Sequence, residues 1–337
     1  MPAYSAESEE LSRTWDERPD VIKDFLEVRP QYDQLCNEIA YILRKRMDEN
    51  AIEYSTITHR AKTLKSFAEK LSRKHYKKPL SDVTDLAGVR LVFLYKSDRS
   101  KIEEILESEF EVIEKVDKID EEDADKFGYG ALHYLVHLGR KSSGARYDDL
   151  KGMICEIQVR TVLQDSWAII DHHLSYKQES DVPKILRRKL NSLAGLFETA
   201  DDQFESVRSE REEYKQSVKK MRNTRAKFLG QETDLDTLTE FLRGRFPKMK
   251  IARDDGHLSR ILSRAINYGY STLKDLENLV QRTEKARAAI HAKKKAPFSV
   301  SEVARAIALE HPDYRVSGNW TEATRKLFKQ HEHLLKK

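Results

Sequence analysis

The sequence predicts an α/β domain over residues 20–180, a β-sheet that carries helices, followed by an all-helical C-terminal region. Three observations lead there. Four short segments rich in β-branched and aromatic residues, GVRLVFLY (88–95), FEVIEKV (110–116), ALHYLVHL (131–138) and MICEIQVR (153–160), read as strands. Segments of helical period lie before, between and after them. From Asp181 onward no strand pattern recurs.

In chain order, Tyr32, Leu35, Cys36, Ile39, Ile42, Leu43 and Met47 recur at steps of three and four, which predicts an amphipathic helix from just after Pro30 to Asn50. An extended piece, IEYSTITHR, leads into a second helix, SFAEKLSRKHYKK, which Pro79 closes. RSKIEEILESEF is a short helix between the first two strands, and LQDSWAIIDHHLSYK is a helix after the last. Leu186, Leu190, Leu193, Ala194, Phe197, Ala200 and Phe204 form another helical stripe, and the segment 181–230 reads as a helical extension suited to a homo-oligomer contact. Residues 235–337 read as a small domain of four or so short helices. Ser299 with Glu302, and Asn319 with Glu322, have capping-box spacing, and HAKKKAP reads as a linker.

With 337 residues, 39% of them hydrophobic, the chain builds a real core and is not disordered. The 61 Lys+Arg nearly balance the 57 Asp+Glu, so the net charge of +4 gives no whole-molecule argument for nucleic-acid binding. Cys36 and Cys155 have neither metal-knuckle nor disulfide-framework spacing, which fits a reducing compartment. No apolar run approaches membrane-spanning length and the start has no signal-peptide pattern, so a cytoplasmic protein without a membrane partner is expected.

Four constellations carry chemistry. In MICEIQVRT, alternation places Glu156, Gln158 and Arg160 on one strand face and Cys155, Ile157 and Val159 on the other. An edge strand facing water explains this equally well. Asp85 stands at the mouth of a strand, where a sheet can fix a metal-binding carboxylate, and Asp85 with Glu156 makes a candidate divalent-cation pair. Lys70, Arg73, Lys74 and Lys77 at i, i+3, i+4 and i+7 form one basic helix stripe, preceded by Arg60 and Lys62. Such cations suit a polyphosphate. Finally, KFGYGALHY (126–134) holds Tyr129 between two glycines, where its ring has room to stack on a flat partner such as a nucleobase.

THRAKTLKSFAEKLSRK, DLAGVRLVF, FGYGALHYLV and EIQVRTVLQDSWAIIDHHLSYK, in this order, resemble the RelA/SpoT-type synthetase domain, which makes guanosine tetra- and pentaphosphate alarmones. The resemblance implies a nucleotidyltransferase-like mixed sheet flanked by helices. It further implies transfer of the β,γ-pyrophosphate of ATP to the 3′-hydroxyl of GDP or GTP with Mg²⁺. Arg60, Lys62 and Ser66 then hold the ATP phosphates. Lys70, Arg73 and Lys74 contact phosphate and flank the adenine. Asp85 holds the metal, Glu156 assists the metal or takes the hydroxyl proton, and Gln158 and Arg160 complete the strand motif beside the acceptor. Tyr129 stacks on the acceptor base, with His133 and Lys126 nearby.

The chain departs from the family at Gly130-Ala131, where Arg-Ser is usual. That leaves three readings: a guanosine acceptor; an adenosine nucleotide or tRNA end, as in toxic relatives; and a silent nucleotide-binding regulator. Retention of Asp85 and Glu156 weighs against the last. The absence of a His-Asp dipeptide implies a small synthesis-only member, with His172 and His173 in packing or site support. The basic RGRFPKMK and HAKKKAP lie outside the resemblance, and RNA binding is one role such segments suit.

Overall fold

The computed structural model describes residues 15–117, 130–174, 184–247, 255–294 and 301–335. The chain forms two compact units, residues 1–207 and 208–337, the division falling inside one long helix rather than at either end of the 181–230 segment.

The first unit has helix α1 (Pro19–Glu49), strand β1 (Tyr54–Ala61), helix α2 (Leu64–Arg73), the single turn α3 (Pro79–Asp82) and strand β2 (Ala87–Phe93). There follow α4 (Arg99–Glu109), β3 (Phe110–Asp117), β4 (Leu132–Leu138), β5 (Cys155–Thr161) and α5 (Val162–Leu174). The five strands form the expected mixed sheet in the order β1-β2-β5-β4-β3, with β5 parallel to β2 and antiparallel to β4. IEYSTITHR is therefore not merely extended: it pairs antiparallel with β2 as an edge strand.

One face of the sheet is the core. Val89, Leu91, Tyr134, Val136, Ile157 and Val159 point there and pack with Leu35, Ile39 and Leu43 of α1 and Ile102 and Leu106 of α4. Alternation then sends the even-numbered residues of β5 to the other face, and they are only half-buried.

Helix α1 starts at Pro19, well before the start just after Pro30 that the periodicity suggests, with Pro19 in its first turn and Pro30 inside it. An interior proline costs about 3 kcal/mol. Ile22 and Phe25 on the added turns are buried to within 1%, and each contributes about 1.5–3 kcal/mol. Burial on those turns thus offsets the broken backbone bond. Helix α2, conversely, ends at Arg73, not before Pro79. Lys74 turns to extended backbone, and Tyr76 drops into the cluster of Ile22, Phe25, Phe67 and Leu71.

Helix α6 (Lys184–Met221) contains the predicted leucine stripe, but of that stripe only Leu190 and Ala194 are buried, against Trp167 of α5. Leu186, Leu193, Leu196 and Phe204 are exposed. No helix among the described residues is long and apolar enough to cross a membrane.

In the second unit, α7 (Arg225–Leu229), α8 (Leu235–Arg245), α9 (Asp255–Asn267), α10 (Leu273–Arg282), α11 (Glu284–Lys294), α12 (Ser301–Glu310), α13 (Pro312–Ser317) and α14 (Glu322–His331) surround a core that includes Leu238, Leu242, Ile261, Leu276, Val280 and Ile307. The stretch after residue 234 thus holds seven described helices rather than about four. Thr283 separates two of them, and Pro312 starts a short one of its own. Thr321, not Asn319, caps α14, accepting from the backbone N–H of Thr324. Ser299 lies outside the described residues. Of HAKKKAP, residues 291–294 belong to α11, and the rest is likewise outside them.

This core contains a buried charge network. Glu302, 0% exposed, accepts from Arg287 at 2.9 Å through one oxygen, and is bonded by His291 at 2.8 Å and by Arg305 through the other. Arg287 also donates to the carbonyl of Val280 and the hydroxyl of Thr283.

Candidate active site

Strand β5 is the centre of the sheet and not an edge, which removes the solvent-facing explanation of its polar alternation. Its polar residues lie in the middle of the sheet face opposite the helix-covered core. In a parallel pair Gly88 of β2 stands opposite Glu156, and Arg90 opposite Gln158. On the other side His133 of β4 stands opposite Gln158.

Glu156 is held from two directions. His133 Nδ1 lies 2.7 Å from one carboxylate oxygen, and Gln158 Nε2 donates to the other at 3.3 Å. Burial pushes the Glu156 carboxyl upward, but the hydrogen bond and charge of His133 outweigh it, so the group sits below its ordinary range; the charge of Asp85 acts in the opposite sense. Glu156 is thus an ionised, oriented carboxylate. The far nitrogen of His133, Nε2, is buried and has no hydrogen-bond partner among the described residues. Gly88 leaves space beside the carboxylate: a Cβ there would meet nothing nearer than the Arg60 carbonyl at 3.8 Å, so packing does not require the glycine.

Asp85 lies in the turn before β2. Lys62 follows β1, and its backbone N–H donates to the carbonyl of Leu86 at 2.8 Å, which ties the end of β1 to that turn. Its ammonium reaches one oxygen of Asp85 at 2.7 Å, and Lys70 of α2 reaches the other at 2.8 Å. Burial raises the Asp85 carboxyl and the two lysines more than reverse that, so it is held below the usual value. Helix α2 is fixed by Phe67 stacked on Phe25 at 4.3 Å and by Thr63, which caps it by accepting from the backbone N–H of Ser66. Its first turn has no acidic residue, so Ser66, Lys62 and the helix N-terminus offer one positive edge.

The structure thus brings Lys62, Lys70 and Asp85 together, and Glu156, Gln158 and His133 together. Arg60 pairs with Gly88 across the β1-β2 ladder and is exposed. The basic stripe is shorter than expected, because α2 ends at Arg73: Lys74 lies beyond it with its ammonium 5.5 Å from the Tyr76 ring centre, and Lys77 is off the helix too. Arg160 turns toward Asp165 at 3.7 Å, a carboxylate that it shares with Arg90 at 3.1 Å. Burial and then Arg90 lower the Arg160 pKa. Arg90 and Asp165 escaped the sequence reading, although the period of two that runs from Gly88 already places Arg90 on the site face. His172 and His173 are exposed at the end of α5, edge-on to one another, and do not pack into the core. Tyr129 and Lys126 lie outside the described residues.

The donor set suits a divalent cation only in part. Among the described residues no group of three or more His, Cys, Asp or Glu forms a cage. Two carboxylates are the kind of partial set with which Mg²⁺ keeps water and takes phosphate oxygens. Both oxygens of Asp85 already accept from lysine, so the cation would share that carboxylate with them.

Comparison with known proteins places residues 59–181 in a family profile described as a region found in RelA / SpoT proteins. The GTP pyrophosphokinases YjbM and YwaC of Bacillus subtilis (strain 168) are each 28% identical to this chain. The matches run over 171 and 167 residues, 49% and 48% of this chain and 76% of each relative. The solved structure of a GTP pyrophosphokinase family protein from Streptococcus pneumoniae aligns at 25% identity with a TM-score of 0.48, covering 57% of this chain and 96% of that one. The family match ends before the second unit begins.

Proposed function

We propose that this chain, which carries a RelA / SpoT region over residues 59–181, is an ATP-dependent pyrophosphokinase that transfers the β,γ-pyrophosphate of ATP to the 3′-hydroxyl of GDP or GTP. The observation that carries the reading is a pair of ionised carboxylates, Asp85 and Glu156, close enough for the charge of one to act on the other, with the cations Lys62 and Lys70 paired to Asp85. The activity of the two 28% identical relatives supports it.

In this reaction the acceptor oxygen forms a bond to the β-phosphorus of ATP as the bridge to the α-phosphorus breaks, and AMP leaves. Little covalent work falls to the protein, so placement and charge balance dominate. Arg60, Lys62, Ser66 and Lys70 bind the polyphosphate, with Arg73 and Lys74 at its outer edge. Glu156 accepts the proton of the 3′-hydroxyl, and His133 and Gln158 hold it in the orientation to do so. Mg²⁺, held by Asp85 and Glu156, supplies neutralisation of the phosphate charge when bound. Tyr129 stacks on the acceptor base, next to the Gly130-Ala131 departure.

The test is to incubate the purified chain with Mg²⁺ and γ-labelled ATP, adding GDP, GTP, AMP, ADP or deacylated tRNA singly. Label is expected on GDP or GTP. Label only on adenosine nucleotides or tRNA would overturn the guanosine acceptor and make Gly130-Ala131 the specificity determinant. No transfer to any acceptor would leave the regulator reading.

A homo-oligomer belongs to the same reading, supported by the exposed Leu186, Leu193, Leu196 and Phe204 on α6. Sedimentation of the intact chain is expected to give more than one copy per particle, and to give a single copy for Leu193→Asp/Leu196→Asp. A wild-type monomer at micromolar concentration would remove this part of the proposal.

A further inference from the structure

The net charge of +4 conceals two opposite balances. Residues 208–337 hold 29 Lys+Arg against 17 Asp+Glu, a net of +12, whereas residues 1–207 hold 32 against 40, a net of −8. The excess is concentrated. Residues 214–231, YKQSVKKMRNTRAKFLGQ, contain six cations and no acid. Of these, Lys219, Lys220, Arg222, Arg225 and Lys227 are exposed.

The fold adds Arg243 and Arg245 of α8 to this face. Arg222 lies over Gly244, where a Cβ would stand 3.7 Å from its Nε. Arg222 and Arg243 share Glu240, at 3.0 and 2.6 Å, while Arg225 and Arg245 share Glu277, at 2.8 and 3.8 Å. The two carboxylates are 7% exposed, whereas Arg222, Arg225 and Arg243 are 41%, 72% and 52% exposed. Glu240 and Glu277 therefore anchor the guanidinium groups without presenting charge to solvent, whereas Glu284, 56% exposed, also pairs with Arg245 at 3.3 Å. Burial alone would raise the Glu240 carboxyl, and its arginines hold it below the ordinary range, so it stays ionised as an anchor.

A charge run is ordinarily a solvated helix face, laced with acids one turn away. Here Lys219, Lys220 and Lys227 have no carboxylate partner among the described residues, and Arg222, Arg225 and Arg243 are anchored by buried acids yet stay exposed. Forked, anchored guanidinium groups flanked by free lysines match a chain of regularly spaced phosphates. An anionic bilayer fits less well, since no large apolar side chain between Lys215 and Arg245 is exposed to insert.

We infer that this face of the helical unit binds the phosphodiester backbone of a nucleic acid without reading its bases. The inference stands independently of the pyrophosphokinase reading. The experiment uses the full chain and fluorescence anisotropy of labelled oligonucleotides about 20 units long, as RNA, single-stranded DNA and duplex DNA, across about 50–200 mM salt. Binding is expected to weaken linearly in log-log form with a slope of about −3 or steeper. Lys219→Gln/Lys227→Gln removes two cations that hold no carboxylate. It is expected to lower the steepness by about 1.5 and the affinity several-fold, with an unchanged denaturation midpoint.

Arg222→Gln/Arg225→Gln should weaken binding further. A preference for RNA or for DNA would identify which polymer the face serves, and equal binding would mean that the backbone alone is recognised. Three results would overturn the inference: no binding to any polymer at about 50 mM salt, wild-type affinity in the lysine variant, or capture by phosphatidylserine vesicles with no binding to nucleic acid.

Discussion

Replacing Glu156 by Gln is expected to lower kcat for pyrophosphate transfer about 10³-fold while leaving the chain folded. Glutamine keeps an oxygen for His133 Nδ1, which lies 2.7 Å from the carboxylate, and removes only the charge and the proton-accepting capacity. Asp85→Asn should cost as much, since Lys62 and Lys70, each within 2.8 Å, then face no counter-charge and a cation has lost a ligand. Both carboxyls are held below their ordinary values by their partners, so both stay ionised through the neutral range and the acid limb of the rate profile lies below the ordinary carboxylate range. The sign for stability is the same. A depressed native pKa adds stability above the unfolded value, and that stability is lost as pH falls through the folded one. The measurement is initial rates of label transfer at saturating ATP and acceptor. Either variant turning over at more than a tenth of the wild-type rate would show that the transfer does not depend on that carboxylate.

The largest stability effect is expected in the second unit. Glu302→Ala leaves Arg287, 4% exposed, without its counter-ion in an apolar core, and removing one partner of such a pair costs about 3–5 kcal/mol. Arg287 keeps its bonds to Val280 and Thr283, but neither neutralises it. Replacing both members, as Arg287→Met/Glu302→Leu, should cost less than Glu302→Ala, because the more deeply buried Arg287 charge is then gone and only the less buried Arg305 and His291 have lost their partner. Urea denaturation of the full chain, followed by hydrogen exchange at residues 276–309, separates the two cases. A loss below about 1 kcal/mol in the single variant would mean that water reaches Arg287 in the native state.

Most of the first unit was legible in the sequence because its signals are local. Period two in 88–95 and 153–160 specified strands whose faces the structure keeps, and it separated Cys155 and Ile157 from Glu156 and Gln158 correctly. Alternation says nothing about neighbours, however. The same pattern suits an edge strand and the centre of a mixed sheet, and only pairing with β2 and β4 distinguishes them. The basic stripe failed for a similar reason: spacing places Lys74 and Lys77 on the α2 face, but burial of Tyr76 ends the helix at Arg73. In the second unit the capping boxes at Asp234 and Thr272 went unread although each is a local signal, while the Arg287–Glu302 pair joins two helices whose contact no spacing rule reveals.

The position of β5 also sets an order of events during synthesis. β1 pairs with β2 and β3 with β4, each a pair of strands close in sequence, and β5 emerges last yet fills the gap between the two pairs. Until it does, β2 and β4 each present an open edge, the condition under which chains pair wrongly with one another. The nascent protein therefore exposes two adhesive edges, and the same insertion that closes them brings Glu156 alongside Gly88, just downstream of Asp85. A chain interrupted before residue 155 has neither a closed sheet nor a second carboxylate, so truncated products are sticky but chemically silent.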